Sequence, residues 1–446
     1  LLQFNPVDII ERMASKLSVF PTGTEINKAG HLSIGGCDLV KLAADFGTPL
    51  YILDEATIRQ RCREYRHQFQ NRYGATTVQY ASKAFLTGAL AGLIKEEGLG
   101  LDVVSPGELA MATSAKFPMD MVYYHGNNKS ADELKLAISR RVGRIVVDSV
   151  DELRLLARLA EGGGRIPDIL LRITPGVDAH THAHLSTGVL GSKFGVPMFA
   201  AADAIAQALA AASLNLVGLH FHIGSLIDDV QPYLEAMEVV LELAAEIKSS
   251  HGFEIEELDI GGGFGVQYTL DGTVPETAYF AQGIVAGLMN TCGRLNLQPP
   301  ALTIEPGRSI VAQAGVALYT TGFAKEVAGG RYIAVDGGMA DNIRPSLYNA
   351  RYEVMAANRA SEDETHLFTV AGRYCESGDI LVRDAHLPHL SAGDLLAIPV
   401  CGAYCIPMSS NYNAALKPPI VMVADGQSRL IRRRQTIQDL TACDLL

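Results

Sequence analysis

The sequence predicts an α/β protein, a (β/α)8 TIM barrel followed by a second, C-terminal all-β domain. Three observations carry that expectation. From Thr76 onward, eight short β-branched or aromatic runs alternate with segments of helical apolar periodicity. After Gly307 the alternation stops, and β-rich runs separated by turn residues take over. The length of 446 residues accommodates one barrel of about 250 residues with a smaller partner.

Residues 1–45 combine a short amphipathic helix, VDIIERMASKL, with a glycine-containing strand-like piece, HLSIGG. TPLYILDEATIRQRCREYRHQF then reads as a strand running into a helix. The eight barrel candidates are VQYAS, LDVVS, MVYYH, RIVVDS, DILLRIT, LVGLHFHI, EELDI and ALTIEP. Among the helices are LTGALAGLIKEEG, PGELAMATSAK, ADELKLAISRR, VDELRLLARLAE, AAADAIAQALAAA, PYLEAMEVVLELAAEIK and YFAQGIVAGLMNTC. This count fits a closed barrel better than a doubly wound sheet, because no strand run signals a reversal of order. The later strands are expected in SIVAQAGVALYTTGFAKEV, RYIAVDGG, THLFTVAG, DLLAIPVCGAY and PPIVMVADG. The expected boundaries are 1–47 for an N-terminal segment joining the β domain, 48–308 for the barrel and 309–446 for the β domain.

Apolar residues make up 48% and charged ones 19%, enough to bury a large core and too apolar for a disordered chain. The net charge of −12 argues against a nucleic-acid or anionic-membrane partner. The cysteines, Cys37, Cys62, Cys292, Cys375, Cys401, Cys405 and Cys443, are odd in number and form no C-x-x-C pair, as expected of reduced thiols in a reducing compartment. No apolar run is long enough to cross a bilayer, and Asp8, Glu11 and Arg12 interrupt any signal core near the start. A soluble, cytoplasmic protein is the expectation.

Catalytic groups of such barrels come from the C-terminal ends of the strands. Lys83 ends the first strand run, Asp102 lies in the second, His222 ends the sixth, Gly261 to Gly263 follow the seventh, and Glu305 and Arg308 end the eighth. A lysine at such a mouth can act as a nucleophile toward a carbonyl when its neighbours tune it; solvated surface lysines are the common alternative. The triple glycine of DIGGGFG lets backbone approach a ligand and aim N–H groups at a phosphate, where a plain turn is the simpler reading. Glu305 closes an apolar strand, so its carboxylate needs a cationic or hydrogen-bonding partner, either a protonated pyridine nitrogen or the nearby Arg308. His220 and His222 are two residues apart, hence on one side of a strand. They are core residues, metal ligands or, for one imidazole, a plate stacked on a cofactor ring. The metal reading lacks an evident partner set, the HTHAH run at His180, His182 and His184 being the rival cluster, and no metal is assigned.

YASKAF, GLDVVSPGEL, HGNNKS, TGVLGSKFG, HFHIGS, DIGGGFGVQY, EPGRSIVAQAG, VDGGMADNIRPSLYNARY, CESGD and GAYCIPMSSNYN occur in that order. Together they resemble the signature blocks of the diaminopimelate decarboxylases, members of the fold-type III, alanine-racemase-like group of pyridoxal-phosphate enzymes. The resemblance runs from about Thr48 to Asn413, and it implies a PLP-dependent lyase acting on an amino-acid substrate, meso-2,6-diaminopimelate, to give L-lysine and CO2. Two positions depart from the pattern: Gly191 stands where aspartate is usual, and Leu226 where glutamine is common. Decarboxylases of ornithine, arginine or carboxynorspermidine share the cofactor blocks, so they are the rival readings.

The resemblance implies the following roles. Lys83 bonds the cofactor covalently, Asp102 sits near the Lys83 side of it, and His222 stacks on its ring. Ser225, Gly262 and Gly263 hold its phosphate, Glu305 pairs with its pyridine nitrogen, and Tyr404 closes over it. Arg308, Arg344 and Tyr348 grip the distal carboxylate of the substrate, as guanidinium forks match carboxylates bidentately. Cys375 and Glu376 reach the active site of a neighbouring subunit, Cys375 as proton donor and Glu376 as holder of the distal ammonium. That arrangement requires a homodimer. On its own, Cys375 would read as a buried small hydrophobe.

Overall fold

The structure, a computed structural model, describes residues 16–178, 188 and 191–445. The histidines of the HTHAH run and most of the helix expected over VDIIERMASKL lie outside them. Two compact units divide the chain. One comprises Arg61–Gly265 and Val274–Ser309; the other takes the described residues up to Gln60, Val266–Thr273 and the chain from Ile310 onward.

The first unit is the barrel, and all eight predicted strands form it: β1 (Thr76–Ala81), β2 (Gly100–Val103), β3 (Val122–Tyr124), β4 (Arg144–Val147), β5 (Asp168–Thr174), β6 (Asn215–His220), β7 (Glu257–Asp259) and β8 (Ala301–Ile304). Each pairs in parallel with its sequence neighbour. Leu302 of β8 then pairs with Thr76 of β1, closing the ring. Buried on both faces, these strands are near-continuous apolar runs rather than alternating ones. The connecting helices are defined at their starts by the expected side chains. Thr87, Ser105, Ser130 and Ser149 each accept a backbone N–H of the first turn, and Ser130 with Glu133 completes a reciprocal capping box.

A buried apolar cluster of Tyr123, Val146, Leu170 and Val217, from four successive strands, forms part of the core. One buried carboxylate ties strands on opposite sides of it. Glu257 accepts from the Tyr123 hydroxyl at 2.7 Å, the Thr303 hydroxyl at 2.7 Å and the Arg144 guanidinium at 3.0 Å. Burial of that charge is tolerable only because it is paired and hydrogen-bonded.

The second unit is built on the long strand Gly315–Val327. Its first part pairs antiparallel with Leu50–Asp54 and with Leu395–Ile398, and its second part with Gly330–Val335. His366–Ala371 and Ile380–Leu387 extend one side, while Ile420–Ala424 and Gln427–Arg432 extend the other. The strand Leu50–Asp54 therefore belongs to the β-rich unit, which corrects the expectation that the barrel begins at residue 48. The three short strands Glu25–Ile26, Leu32–Ile34 and Cys37–Asp38 form a small sheet of their own in the same unit. SIVAQ, expected as strand, instead opens as the four-residue helix Arg308–Val311.

Glu257→Ala should lower the unfolding free energy by about 3 kcal/mol, since it leaves the buried Tyr123 and Thr303 hydroxyls without their acceptor and takes one carboxylate from Arg144, which keeps Asp168 at 3.2 Å. Urea denaturation would show this as a lower midpoint at unchanged slope.

Candidate active site

The C-terminal rim of the barrel is built from residues at or just beyond the strand ends. β1 stops at Ala81, and Lys83 rides on the 3-10 turn Ser82–Ala84 that follows. The Tyr80 hydroxyl donates to the Phe85 carbonyl at 2.6 Å, and Ala81 N–H donates to the Pro306 carbonyl at 3.3 Å. Gly307 packs so closely on Ala81 and Ala84 that a Cβ there would collide with them. The lysine turn is thus seated on the chain that leaves β8. Lys83 Nζ lies 3.8 Å from Asp102 Oδ2, and its side chain keeps 37% exposure.

Glu305, directly after β8, is buried at the centre of the rim. Its carboxylate stands 2.8 Å from His125 Nε2 and 3.6 Å from His220 Nε2. His125 Nε2 also comes within 3.7 Å of Asp102, and the two imidazoles meet edge to face at 5.1 Å. His125 and His220 answer the question the sequence left open about Glu305's protein partners. His125 was not among the sequence candidates, although it follows β3 as Glu305 follows β8, so the strand-end rule that selected the others applied equally to it.

The charges can be assigned. Burial opposes ionisation of Glu305, but its interactions with His125 and His220 outweigh that and hold it well below the usual carboxylate range. Burial drives His220 down to about 3, so it is a neutral imidazole at ordinary pH. Asp259, at the end of β7, is pushed the other way, by burial and then by the Glu305 charge. Of these buried carboxyls, Glu305 is the one whose surroundings favour the ionised form. Asp102 is raised, by burial first and by Glu305, against the pull of His125 and Lys83.

Donor atoms of His125, His220 and Glu305 all lie within 4.8 Å of one another. The second histidine and the carboxylate that the metal reading lacked are present, although His222 is not part of the group.

His222 sits two residues past the end of β6, half-buried. Gly262 N–H donates to its Nδ1 at 3.3 Å, which fixes the proton of the neutral ring on Nε2. Burial, then the charge of Lys83, lowers its pKa well below the ordinary value. The glycine turn is shaped by close packing. A Cβ on Gly261 would meet His222, one on Gly262 the Glu305 carbonyl, and one on Gly263 the Gly224 carbonyl. Gly261 and Gly263 also hold φ of +69° and +106°, which glycine alone adopts freely. Asp259 Oδ1 accepts Gly261 N–H at 2.8 Å, and the Tyr233 hydroxyl donates to the Gly262 carbonyl at 2.9 Å. Ser225 follows on the HIGS loop, and Arg308 is buried at the start of its short helix. The structure thus brings Lys83, Asp102, His222, Gly262, Gly263 and Glu305 to one rim.

The remaining candidates belong to the β-rich unit. Arg344 opens the helix Arg344–Tyr348 and is buried. Its guanidinium donates to the Tyr268 hydroxyl at 2.7 Å. Tyr348, half-buried, ends the same helix. Cys375 and Glu376 are exposed, contrary to the buried reading of an isolated cysteine. Their loop is pinned by Asp379, which accepts Met339 N–H at 2.6 Å and Tyr374 N–H at 2.8 Å. Tyr404 is held at φ +59°, a left-handed conformation unusual for tyrosine and characteristic of functional loops.

His220 gives a pH dependence of defined sign. Its ordinary value is 6.5 and its folded value about 3, so between these the unfolded chain binds the proton and the folded chain does not. Its contribution to stability is complete above pH 6.5 and is lost as pH falls, by up to about 1.4 kcal/mol per pH unit. Urea unfolding of the wild type and His220→Asn from pH 7.5 to 5 should show a shallower decline in the variant, whatever its absolute stability. Parallel declines would contradict the assignment.

Comparison with known proteins follows the same lines. Residues 55–312 match the family model described as pyridoxal-dependent decarboxylase, pyridoxal binding domain. The diaminopimelate decarboxylase of Bacillus subtilis (strain 168) is 44% identical over 422 residues, spanning 94% of this chain and 96% of that protein. The crystal structure of diaminopimelate decarboxylase from M. jannaschii in complex with L-lysine superposes with a TM-score of 0.89 at 35% identity, covering 95% of this chain and 98% of that one. The Helicobacter pylori diaminopimelate decarboxylase, also complexed with L-lysine, gives a TM-score of 0.84 at 33% identity, covering 91% and 98%. The barrel, its ion-paired rim and this similarity along nearly the whole length agree: the chain belongs to the diaminopimelate decarboxylase family of pyridoxal-dependent decarboxylases.

Proposed function

We propose that the chain converts meso-2,6-diaminopimelate to L-lysine and CO2, the last step of lysine biosynthesis, with pyridoxal 5'-phosphate as cofactor. The observation that carries this reading is the convergence of Lys83, Asp102 and a buried, anionic Glu305 on one barrel rim. The rim fits the cofactor in its own residues. The Gly261–Gly263 turn has no room for side chains and presents bare backbone beside the HIGS loop, as a phosphate cradle requires. Glu305 supplies a fixed negative charge for a protonated ring nitrogen.

When bound, the cofactor supplies an electron sink for the pair left behind by CO2. Lys83 is the residue that would hold it covalently, with Asp102 3.8 Å from its amine. Glu305 would keep a proton on the ring nitrogen, and the two imidazoles beside it favour its ionised form. His222, neutral and oriented by Gly262 N–H, would stack on the ring, while Ser225, Gly262 and Gly263 would hold the phosphate. Arg308, Arg344 and Tyr348 take the distal carboxylate. This clamp favours diaminopimelate over ornithine or arginine, which carry an amine or guanidine at that end. Glu376 takes the distal ammonium and Tyr404 closes over the cofactor. Cys375 delivers a proton to the carbon that CO2 leaves, and it does so from one protomer to its partner. Its exposure, with that of Glu376, supports the shared site, and the enzyme is accordingly a homodimer. No helix among the described residues is long and apolar enough to cross a membrane.

Purified protein given pyridoxal phosphate should release lysine from meso-diaminopimelate and leave ornithine and arginine untouched. Turnover of either rival would overturn the clamp. Stoichiometric zinc, with no cofactor absorbance, would instead favour the His125–His220–Glu305 group as a metal site. Lys83→Ala and Cys375→Ala should each lose nearly all turnover. After verified subunit exchange, their mixture should regain up to about a quarter of wild-type activity, the share expected of a dimer with one intact shared site in half of its molecules. No recovery would place each site within a single chain.

A further inference from the structure

Arg344 is an unusual buried cation. It is 2% exposed, yet no Asp or Glu among the described residues of its own unit pairs with it. Aromatic groups surround it instead. Nη1 donates to the Tyr268 hydroxyl at 2.7 Å, and the guanidinium carbon lies 4.9 Å from the Tyr268 ring centroid and 6.0 Å from that of Tyr352. The two rings meet edge to face at 5.4 Å and 88°. Tyr352 is itself fixed, its hydroxyl 3.7 Å from Cys405 Sγ, and Cys405 donates to Asn342 Oδ1 at 3.5 Å. Asn342 Oδ1 also accepts Arg344 N–H at 3.3 Å, so the cage and the start of the arginine helix share one anchor.

Two aromatic faces and one hydroxyl hold a guanidinium in place without neutralising it. An arginine serving only the fold would be expected to take a carboxylate. Here most of its five N–H donors are left for an acceptor supplied from outside, and Nε is buried without a hydrogen-bond partner among the described residues. Tyr268 belongs to Val266–Thr273, the stretch that follows the glycine turn in sequence but clusters with the β-rich unit. That stretch is tied down where Leu270 N–H donates to Glu353 at 3.1 Å and Arg351 pairs with Asp271 at 3.0 Å.

We propose that Tyr268 and Tyr352 are positioning residues that set specificity: they hold Arg344 charged and oriented to receive the substrate's distal carboxylate. The inference rests on the reading that Arg344 takes that carboxylate, and it adds what aims the guanidinium. Tyr268→Phe keeps the ring and removes the hydroxyl. It should raise KM for diaminopimelate about tenfold, the usual effect of losing one hydrogen bond to a charged group, with kcat within about twofold and cofactor absorbance unchanged. Tyr352→Leu should raise KM in the same way. In an Arg344→Met background, Tyr268→Phe should add little, because it acts through the arginine. Unchanged KM in Tyr268→Phe, a fall in kcat alone, loss of cofactor absorbance, or full additivity with Arg344→Met would each overturn the inference. If Arg344→Met itself leaves KM unchanged, the carboxylate reading of Arg344 fails, and the proposal with it. A raised KM there with an unaffected Tyr268→Phe removes only the positioning role.

Discussion

Glu305 is a charge kept almost wholly out of water, and the rim is arranged around that constraint. A lone carboxylate at such a depth would take up a proton. Two imidazoles, one just past β3 and one ending β6, oppose this by lying 2.8 and 3.6 Å from it. Asp259 is driven the opposite way, well above the usual carboxylate range, by burial and then by the Glu305 charge, and its Oδ1 holds Gly261. The electrostatic centre and the glycine turn are therefore one construction. The Gly262 N–H that orients His222 and the Gly262 carbonyl anchored by Tyr233 belong to the same turn. A shift in any of these strand ends would move several of the others.

The parallel barrel was legible because its strands announce themselves twice, as short β-branched runs and by the helices that separate them. All eight strands appear where the runs were read. Their ends were less legible. Lys83 and His222 lie two residues past the hydrogen-bonded strand, because side chains at a barrel mouth sit where pairing gives way to turns. Leu50–Asp54 shows a different limit. LYILD is buried throughout, and a strand covered on both faces reads identically in either sheet, so periodicity could not say which unit it joins. The strands Ile380–Leu387 and Gln427–Arg432 went unread for the opposite reason. Their charged and exposed residues resemble loops, and only pairing with neighbouring strands makes them β.

On the barrel rim, Lys83, Asp102, His222 and Glu305, selected for their chemical type, were found together, whereas those acting through another residue were not anticipated. His125, Asp259 and Tyr268 all lie inside blocks that were recognised, but attention went to the lysine, the glycines and the arginines beside them. Sequence spacing identifies residues that end strands. It carries no information about which of those ends face one another across a barrel, and that opposition is what pairs His125 with Glu305.

Glu305 and Arg344 are both buried charges, and the chain treats them in opposite ways. Glu305 is supplied with partners by the protein, so its ionisation does not wait for a ligand. Arg344 is surrounded by quadrupoles and a hydroxyl, which favour a cation but leave its charge uncancelled. The first arrangement suits a group that must be ready before anything binds. The second suits a group whose counter-charge arrives with the substrate, because a resident carboxylate would have to be displaced each time. On this view the ease of ionising Glu305 belongs to the cofactor half of the reaction. If Arg344 takes the distal carboxylate as proposed, its unmatched charge makes that carboxylate the feature by which the substrate is chosen.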